Sequence, residues 1–196
     1  MIGRVRSFFR VLALSRQSRG SINPIRAKHA VFQKLIGVNR HAYWPMHNAS
    51  TVVGVGNVYI GRDVAPGYMA GCYVQGIGRI EIGDYTEISG NVAILTANHD
   101  FEDLTRHVVK DVKIGAYCWL GFNSVVLPGV TLGDHTVVGA GAVVTKSFPE
   151  GRVVLAGNPA KIIKSLKVTT PEQRDYTYHG FLTEEEYKTM MVVRNA

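Results

Sequence analysis

Residues Ile114–Val144 read IGAYCWLGFNSVVLPGVTLGDHTVVGAGAVV, and this stretch decides the fold. Aliphatic residues recur in it every sixth position: Ile114, Leu120, Val126, Leu132, Val138 and Val144. Four residues after each of the first five stands a small or short side chain: Cys118, Ser124, Val130, Thr136 and Ala142. Glycine follows the aliphatic at Gly115, Gly121, Gly133 and Gly139. A period of six fits neither an α-helix, with a period of 3.6, nor a free strand, with a period of 2. It fits a parallel β-helix of triangular section, one hexad to each wall. The aliphatics then fill the prism and the glycines ease its corners. Residues eighteen apart stack, Ile114 with Leu132, Leu120 with Val138 and Val126 with Val144, each coil adding about 4.8 Å of height.

Upstream, Ile60, Pro66 and Cys72 keep the six-residue step, with Val64 and Ala70 in the small slots. The register slips near Gly76–Arg79 and resumes at Ile82, Ile88 and Ile94, with Thr86, Val92 and Asn98 in the small slots. The next interval, Ile94 to Ile114, is twenty, so one coil carries an inserted loop at about 98–112, NHDFEDLTRHVVKDV. A regular prism has no concavity, and loops on rigid scaffolds are where pockets are built. The predicted organisation is therefore a basic N-terminal helical segment over 1–50, a β-helix over 51–165 and a helical extension over 166–196. In the first segment Val5, Phe8, Phe9 and Leu12 share a helical face with Arg4, Arg6 and Arg10 around it. A second helix is predicted over 24–36. C-terminal helices are predicted to start at Thr170-Pro171 and at Thr183, where Glu186 completes a capping box.

The chain of 196 residues has a net charge of +7, unevenly placed. Residues 1–62 hold ten Lys or Arg and no acid, whereas the rest has a net charge of −3. The basicity belongs to the N-terminal segment, which argues against a nucleic-acid-binding body. That segment either packs against the β-helix or a neighbouring subunit, or lies on an anionic membrane through residues 1–20. Arg10 interrupts its apolar stretch and no cleavage pattern follows, so it does not read as a signal peptide. Cys72 and Cys118 fall on repeat positions and read as reduced core thiols of a cytoplasmic protein. No apolar run approaches the ~20 residues of a membrane span.

The segments CWLGFNSVVLPGVTLGDHTVVGAGAVVTKSFPEGRVVLAGNPAKIIK (Cys118–Lys164) and IGDYTEISGNVAILTANHD (Ile82–Asp100) resemble the hexapeptide-repeat acyltransferases. Within these they are similar to the maltose/galactoside-acetyltransferase-like branch and to the O-acetyltransferases of polysaccharide gene clusters. The resemblance spans roughly 51–165. It implies a left-handed β-helix, a homotrimer, and acyl transfer from acetyl-CoA, as co-substrate, to a hydroxyl or amine. It also implies that His99 is the catalytic histidine, and that Trp119, Gly121, Ala140, Thr145 and Lys146 line the coenzyme groove. Lys161 and Lys164, after GNPA, match basic positions near the coenzyme's phosphates. The acceptor coil departs from the family pattern: Gly67 and Gln75 stand where sugar transferases carry Asn and Asp, so the acceptor is not the simple sugar of those relatives.

On chemical grounds His99 suits a general base, since its ordinary pKa of about 6.5 lies near neutrality. Asp100, Glu102 and Asp103 are candidates to orient its ring, and Gln75, Asn98 and Asp100 are candidates for contacts to the acceptor. No serine stands in a nucleophile-elbow sequence, so direct transfer in a ternary complex is expected, without an acyl-enzyme. Lysines on the run-out of the helix offer charge for phosphates, and Trp119 an apolar wall for pantetheine. Because one prism is convex, the pocket is expected between subunits. The expected function is an O-acetyltransferase acting on a sugar or glycan precursor, using no metal. The alternatives are N-acetylation of an amino-sugar, zinc-dependent hydration through His99, His107 and His135, and a non-catalytic β-helix scaffold.

Overall fold

The computed structural model describes residues 2–168 and 175–195, and over them the chain is a left-handed parallel β-helix closed by helices. Its three walls are sheets of short strands. Wall A stacks 51–53, 73–75, 93–95, 125–126 and 143–144. Wall B stacks 58–60, 80–82, 112–114 and 131–132, and wall C stacks 87–88, 119–120, 137–138 and 153–156. The last coil is capped on wall C by an antiparallel strand, Lys161–Ser165. Leu132 lies over Ile114, Val138 over Leu120 and Val144 over Val126, as the interval of eighteen requires. All six side chains are buried.

The small slots are buried too, because they stand at the inner side of the corners where a large residue would collide with two walls. Cys118, Ser124, Val130, Thr136 and Ala142 all lie inside. Burial pushes the Cys118 thiol up to about 11 and raises that of Cys72 as well. The glycines after the aliphatics act differently from the sequence expectation. Their φ angles are not positive; what they supply is room. A Cβ at Gly115 would meet Asp134 N at 2.5 Å, and one at Gly121 would meet Val138 O at 2.6 Å. The left-handed corner conformations fall instead on Tyr85, Tyr117 and His135 between walls B and C, and on Asn91 and Asn123 between C and A. Asparagine tolerates that region. The rings of Tyr117 and His135 stack at 5.1 Å, which offsets part of the strain at the other corner.

The earliest coils correct the sequence reading in one place. Cys72 is a small-slot residue preceding Val74, which pairs with Ile94 on wall A, while Ala70 is exposed. The six-residue step through Pro66 is therefore two residues out of register, because the first coil is longer than eighteen residues.

Helix α1, Ile2–Gln17, packs beside a second helix, α2, Ala27–His29, which continues as a π-helical turn, Ala30–Ile36. The face of α1 turned inward carries Phe8, Val11 and Leu14 against Ile25 and Phe181. Phe9 and Leu12, expected on that face, point outward. The third helix, α3, Glu184–Asn195, begins with the predicted capping box: Thr183 N–H donates to Glu186 at 3.0 Å and Glu186 N–H to the Thr183 hydroxyl at 3.3 Å. The tail leading into it returns to the first coil, where Phe181 N–H donates to Tyr43 O and His179 reaches Ile60 O. The helix start expected at Thr170-Pro171 lies outside the described residues. No described helix is long and apolar enough to cross a membrane.

His29 is buried beneath this helical layer, its Nδ1 accepting Arg26 N–H at 3.0 Å while Nε2 has no hydrogen-bond partner among the described residues. Burial first, then the charges of Lys28 and Arg26, push it down to about 4. An unfolded histidine binds a proton below about 6.5, and this one does not until about 4. Its contribution is therefore intact above pH 6.5 and is lost as pH falls from there toward 4. Urea midpoints measured between those limits are expected to fall with pH, and less steeply in His29→Gln. Equal slopes would contradict this assignment.

Candidate functional site

The insertion between Ile94 and Ile114 is a β-hairpin, Ala97–His99 paired antiparallel with His107–Val109. It leaves the prism at the corner joining walls A and B, and its root is fixed by buried hydrogen bonds. The Thr96 hydroxyl donates to Gln75 O at 2.5 Å and accepts Gly78 N–H at 2.9 Å. The Gln75 side chain accepts Ala97 N–H at 3.0 Å. Gln75 thus anchors the hairpin, and its amide oxygen is already engaged there.

His99 and His107 face each other across the hairpin with ring centroids 4.5 Å apart. Nδ1 of His99 lies 2.7 Å from Leu104 O. A carbonyl can only accept, so Nδ1 carries the hydrogen and Nε2 of the neutral ring keeps its lone pair free for a proton. The orienting group is therefore a backbone carbonyl. Of the three carboxylates expected in that role, Asp100 and Asp103 are used otherwise. Asp100 binds Arg106 at 2.9 Å and accepts Glu102 N–H, contacts that hold its carboxyl below the ordinary range. Asp103 accepts both the N–H and the hydroxyl of Thr105. Together these bonds close the loop that presents Leu104 O to the imidazole. A recess of about 380 Å³ opens beside His99, lined by Asn98, Asp100, Phe101, Val108, Lys110 and Pro128. Phe101, at the tip, is 94% exposed.

The remaining candidates divide by position. Thr145 and Lys146 follow the wall-A strand 143–144 and so occupy the same A/B corner as the hairpin, two coils beyond it. Trp119 lies on the outer surface of wall C, 51% exposed, with Nε1 donating to the Ser89 hydroxyl at 3.2 Å. Lys161 and Lys164 stand exposed on the last strand of that wall, three strand spacings or about 14 Å from Trp119. Gly121 and Ala140 are neighbours at the adjoining corner, one coil apart, where a Cβ on Gly121 would strike Ala140 N. In a triangular section the A/B corner is opposite wall C. The candidate residues of one chain therefore fall into two groups facing away from each other: the imidazole with Thr145 and Lys146, and Trp119 with Gly121, Ala140 and the two lysines.

Of the histidines considered as a metal triad, His99 and His107 meet on the hairpin, whereas His135 is stacked on Tyr117 at the B/C corner. Among the described residues no three His, Cys, Asp or Glu side chains are gathered as a metal-binding group.

Comparison with known proteins agrees with this architecture. Residues 111–146 match the bacterial transferase hexapeptide family (six repeats). Over those residues the repeat body is similar to that family. The chain is 32% identical over 114 residues to the galactoside O-acetyltransferase of Escherichia coli K12, covering 56% of this chain and 55% of that protein. It is 42% identical over 91 residues to an E. coli K12 protein provisionally named colanic acid biosynthesis acetyltransferase WcaF, covering 45% of this chain and 48% of that one. The chain spans about half the length of the curated relatives it matches. Among solved structures, a galactoside acetyltransferase in complex with coenzyme A superposes with a TM-score of 0.60 at 23% identity, covering 91% of this chain and 90% of that one. A maltose O-acetyltransferase from Clostridium difficile 630 gives 0.57 at 24% identity, over 84% and 89%. At such identities these two establish the shared fold.

Of the site residues, the Leu104 carbonyl escaped the sequence reading. A main-chain acceptor leaves no residue type to recognise, and only the five-residue return of the loop hinted at it.

Proposed function

We propose that this protein transfers an acetyl group from acetyl-CoA to a hydroxyl of a sugar or glycan precursor, with His99 as general base, at sites formed between subunits of a homotrimer. The observation that carries the reading is the separation of the two groups onto opposite sides of one prism. A corner of one copy set against wall C of the next brings an imidazole to a tryptophan shelf. Three such head-to-tail contacts close into a ring.

The residues present fit a long thioester arm ending in phosphates. Trp119 offers an apolar shelf, Gly121 and Ala140 allow close approach of main chain, and Lys161 and Lys164 supply positive charge on the same wall. Lys146 and Thr145 would contribute from the hairpin side of the neighbouring copy. Nε2 of His99 takes the proton of the attacking hydroxyl as its oxygen bonds to the thioester carbonyl carbon, and returns that proton to the departing thiolate. Leu104 O steadies the ring and stabilises the positive charge it gains. Asn98, beside the base in the recess, is placed to contact the acceptor; Gln75 and Asp100 serve through the hairpin they brace. Neither cysteine is available as a nucleophile, being buried with its thiol pKa raised. The names of the galactoside O-acetyltransferase and colanic acid biosynthesis relatives support a sugar or glycan hydroxyl as acceptor. The measurement is free-thiol release from acetyl-CoA against a panel of sugars, nucleotide-sugars and amino-sugars. Acceptor-dependent release giving an alkali-labile ester supports the reading. An amide product, or release indifferent to every acceptor, contradicts it.

A further inference from the structure

The helical layer built from α1 and the turn 30–36 leaves large apolar side chains on its outer side. Phe9 is 61% and Ile36 60% exposed, and Leu12, Val31 and Leu35 are exposed with them. Their inward neighbours, Val11 and Phe8, make the contact with the body; apart from the edge-on contact of Phe9 with Phe8, none of these outer residues joins a buried cluster among the described residues. Exposed bases accompany them: Arg16, Arg19, Arg26, Lys28 and Arg40. No acid occurs before Asp63. The acids that fold against this layer are engaged: Asp63 accepts from Ser21, Ile22 and Asn23, and Glu186 is paired with Arg10.

We propose that this layer docks on an anionic lipid bilayer, the apolar side chains entering the interface while the arginines and lysines meet the headgroups. An amphipathic helix with a basic polar face and aromatic and aliphatic side chains opposite is the composition that binds such surfaces. Charge favours lipid over a second copy of the chain, since two such faces would bring like charges together without an answering acid. The surface contains none of the residues assigned to acyl transfer, so the two readings stand or fall separately.

The test is co-sedimentation of the full chain with vesicles of phosphatidylcholine alone or containing about a third phosphatidylglycerol. Binding is expected on the anionic vesicles and is expected to weaken with salt. The triple change Arg16→Gln, Arg19→Gln, Lys28→Gln should lower partitioning about a hundredfold, at about fivefold per lost charge. Phe9→Ser with Ile36→Ser should lower it at least tenfold. Both variants should keep the melting temperature and the thiol-release rate on a soluble acceptor. Absence of binding, or equal binding to neutral vesicles, overturns the proposal. A change of oligomeric mass in Phe9→Ser/Ile36→Ser with vesicle binding intact would overturn it in favour of a contact between copies.

Discussion

His99→Ala lowers turnover about 10²–10⁴-fold, the range that a positioned general base contributes. His99 is exposed on the hairpin and its ring bonds to Leu104 O, so the folded state loses little; a stability change within about 0.5 kcal/mol is expected. The effect should fall on kcat, with KM for acetyl-CoA nearly unchanged, because the shelf and the lysines proposed to hold the coenzyme are elsewhere. His99→Asn should be as inactive, since an amide cannot take up the proton. Turnover within tenfold of the parent in either variant would remove His99 from the role.

Leu120→Ala should be among the most damaging single truncations of the prism, costing about 2–5 kcal/mol. Leu120 is fully buried, stacked between Ile88 and Val138 on wall C with Cys118 two positions before it. Strands of two residues, locked by ladder bonds above and below, leave the walls little freedom to collapse into the void. Urea unfolding at a fixed protein concentration measures it. Phe101→Ser supplies the contrast: at 94% exposure in the single chain, the change should leave the stability of the isolated subunit untouched. A loss below about 1 kcal/mol for Leu120→Ala would mean the stack is looser than drawn.

The repeat body was legible because its physics is one-dimensional. A fixed interval between aliphatics sets both the wall and the stacking partner, so Ile114 and Leu132 could be paired from spacing alone. The insertion announced itself the same way, as an interval of twenty. Legibility failed where local rules stop repeating. The long first coil displaced Cys72 by two positions, since no second copy of that coil exists to calibrate it. On α1, Phe8, Phe9 and Leu12 are equally apolar, and periodicity cannot tell which of two adjacent aromatics meets Phe181; the partner, 170 residues away, chose Phe8 and Val11. The corner glycines were credited with conformational freedom because that is their commonest use. Here the close approach of the next coil is what excludes a Cβ. At the candidate site, the expectation for His99 rested on its place beside the break and on the family resemblance. Its orienting group could not, because an acidic loop offers three plausible carboxylates and the fold uses a carbonyl.

The division of the site between copies is the claim on which the functional account turns, and mixing two inactive variants measures it directly. His99→Ala and the double variant Trp119→Ala/Lys161→Glu would be co-expressed and the thiol-release rate of the mixed assemblies compared with each variant alone. A site that draws its imidazole from one copy and its shelf from the next is intact at about a quarter of positions in a random equal mixture, so about a quarter of the parent rate should return. A mixture no more active than its components would place both groups in one chain and contradict the account.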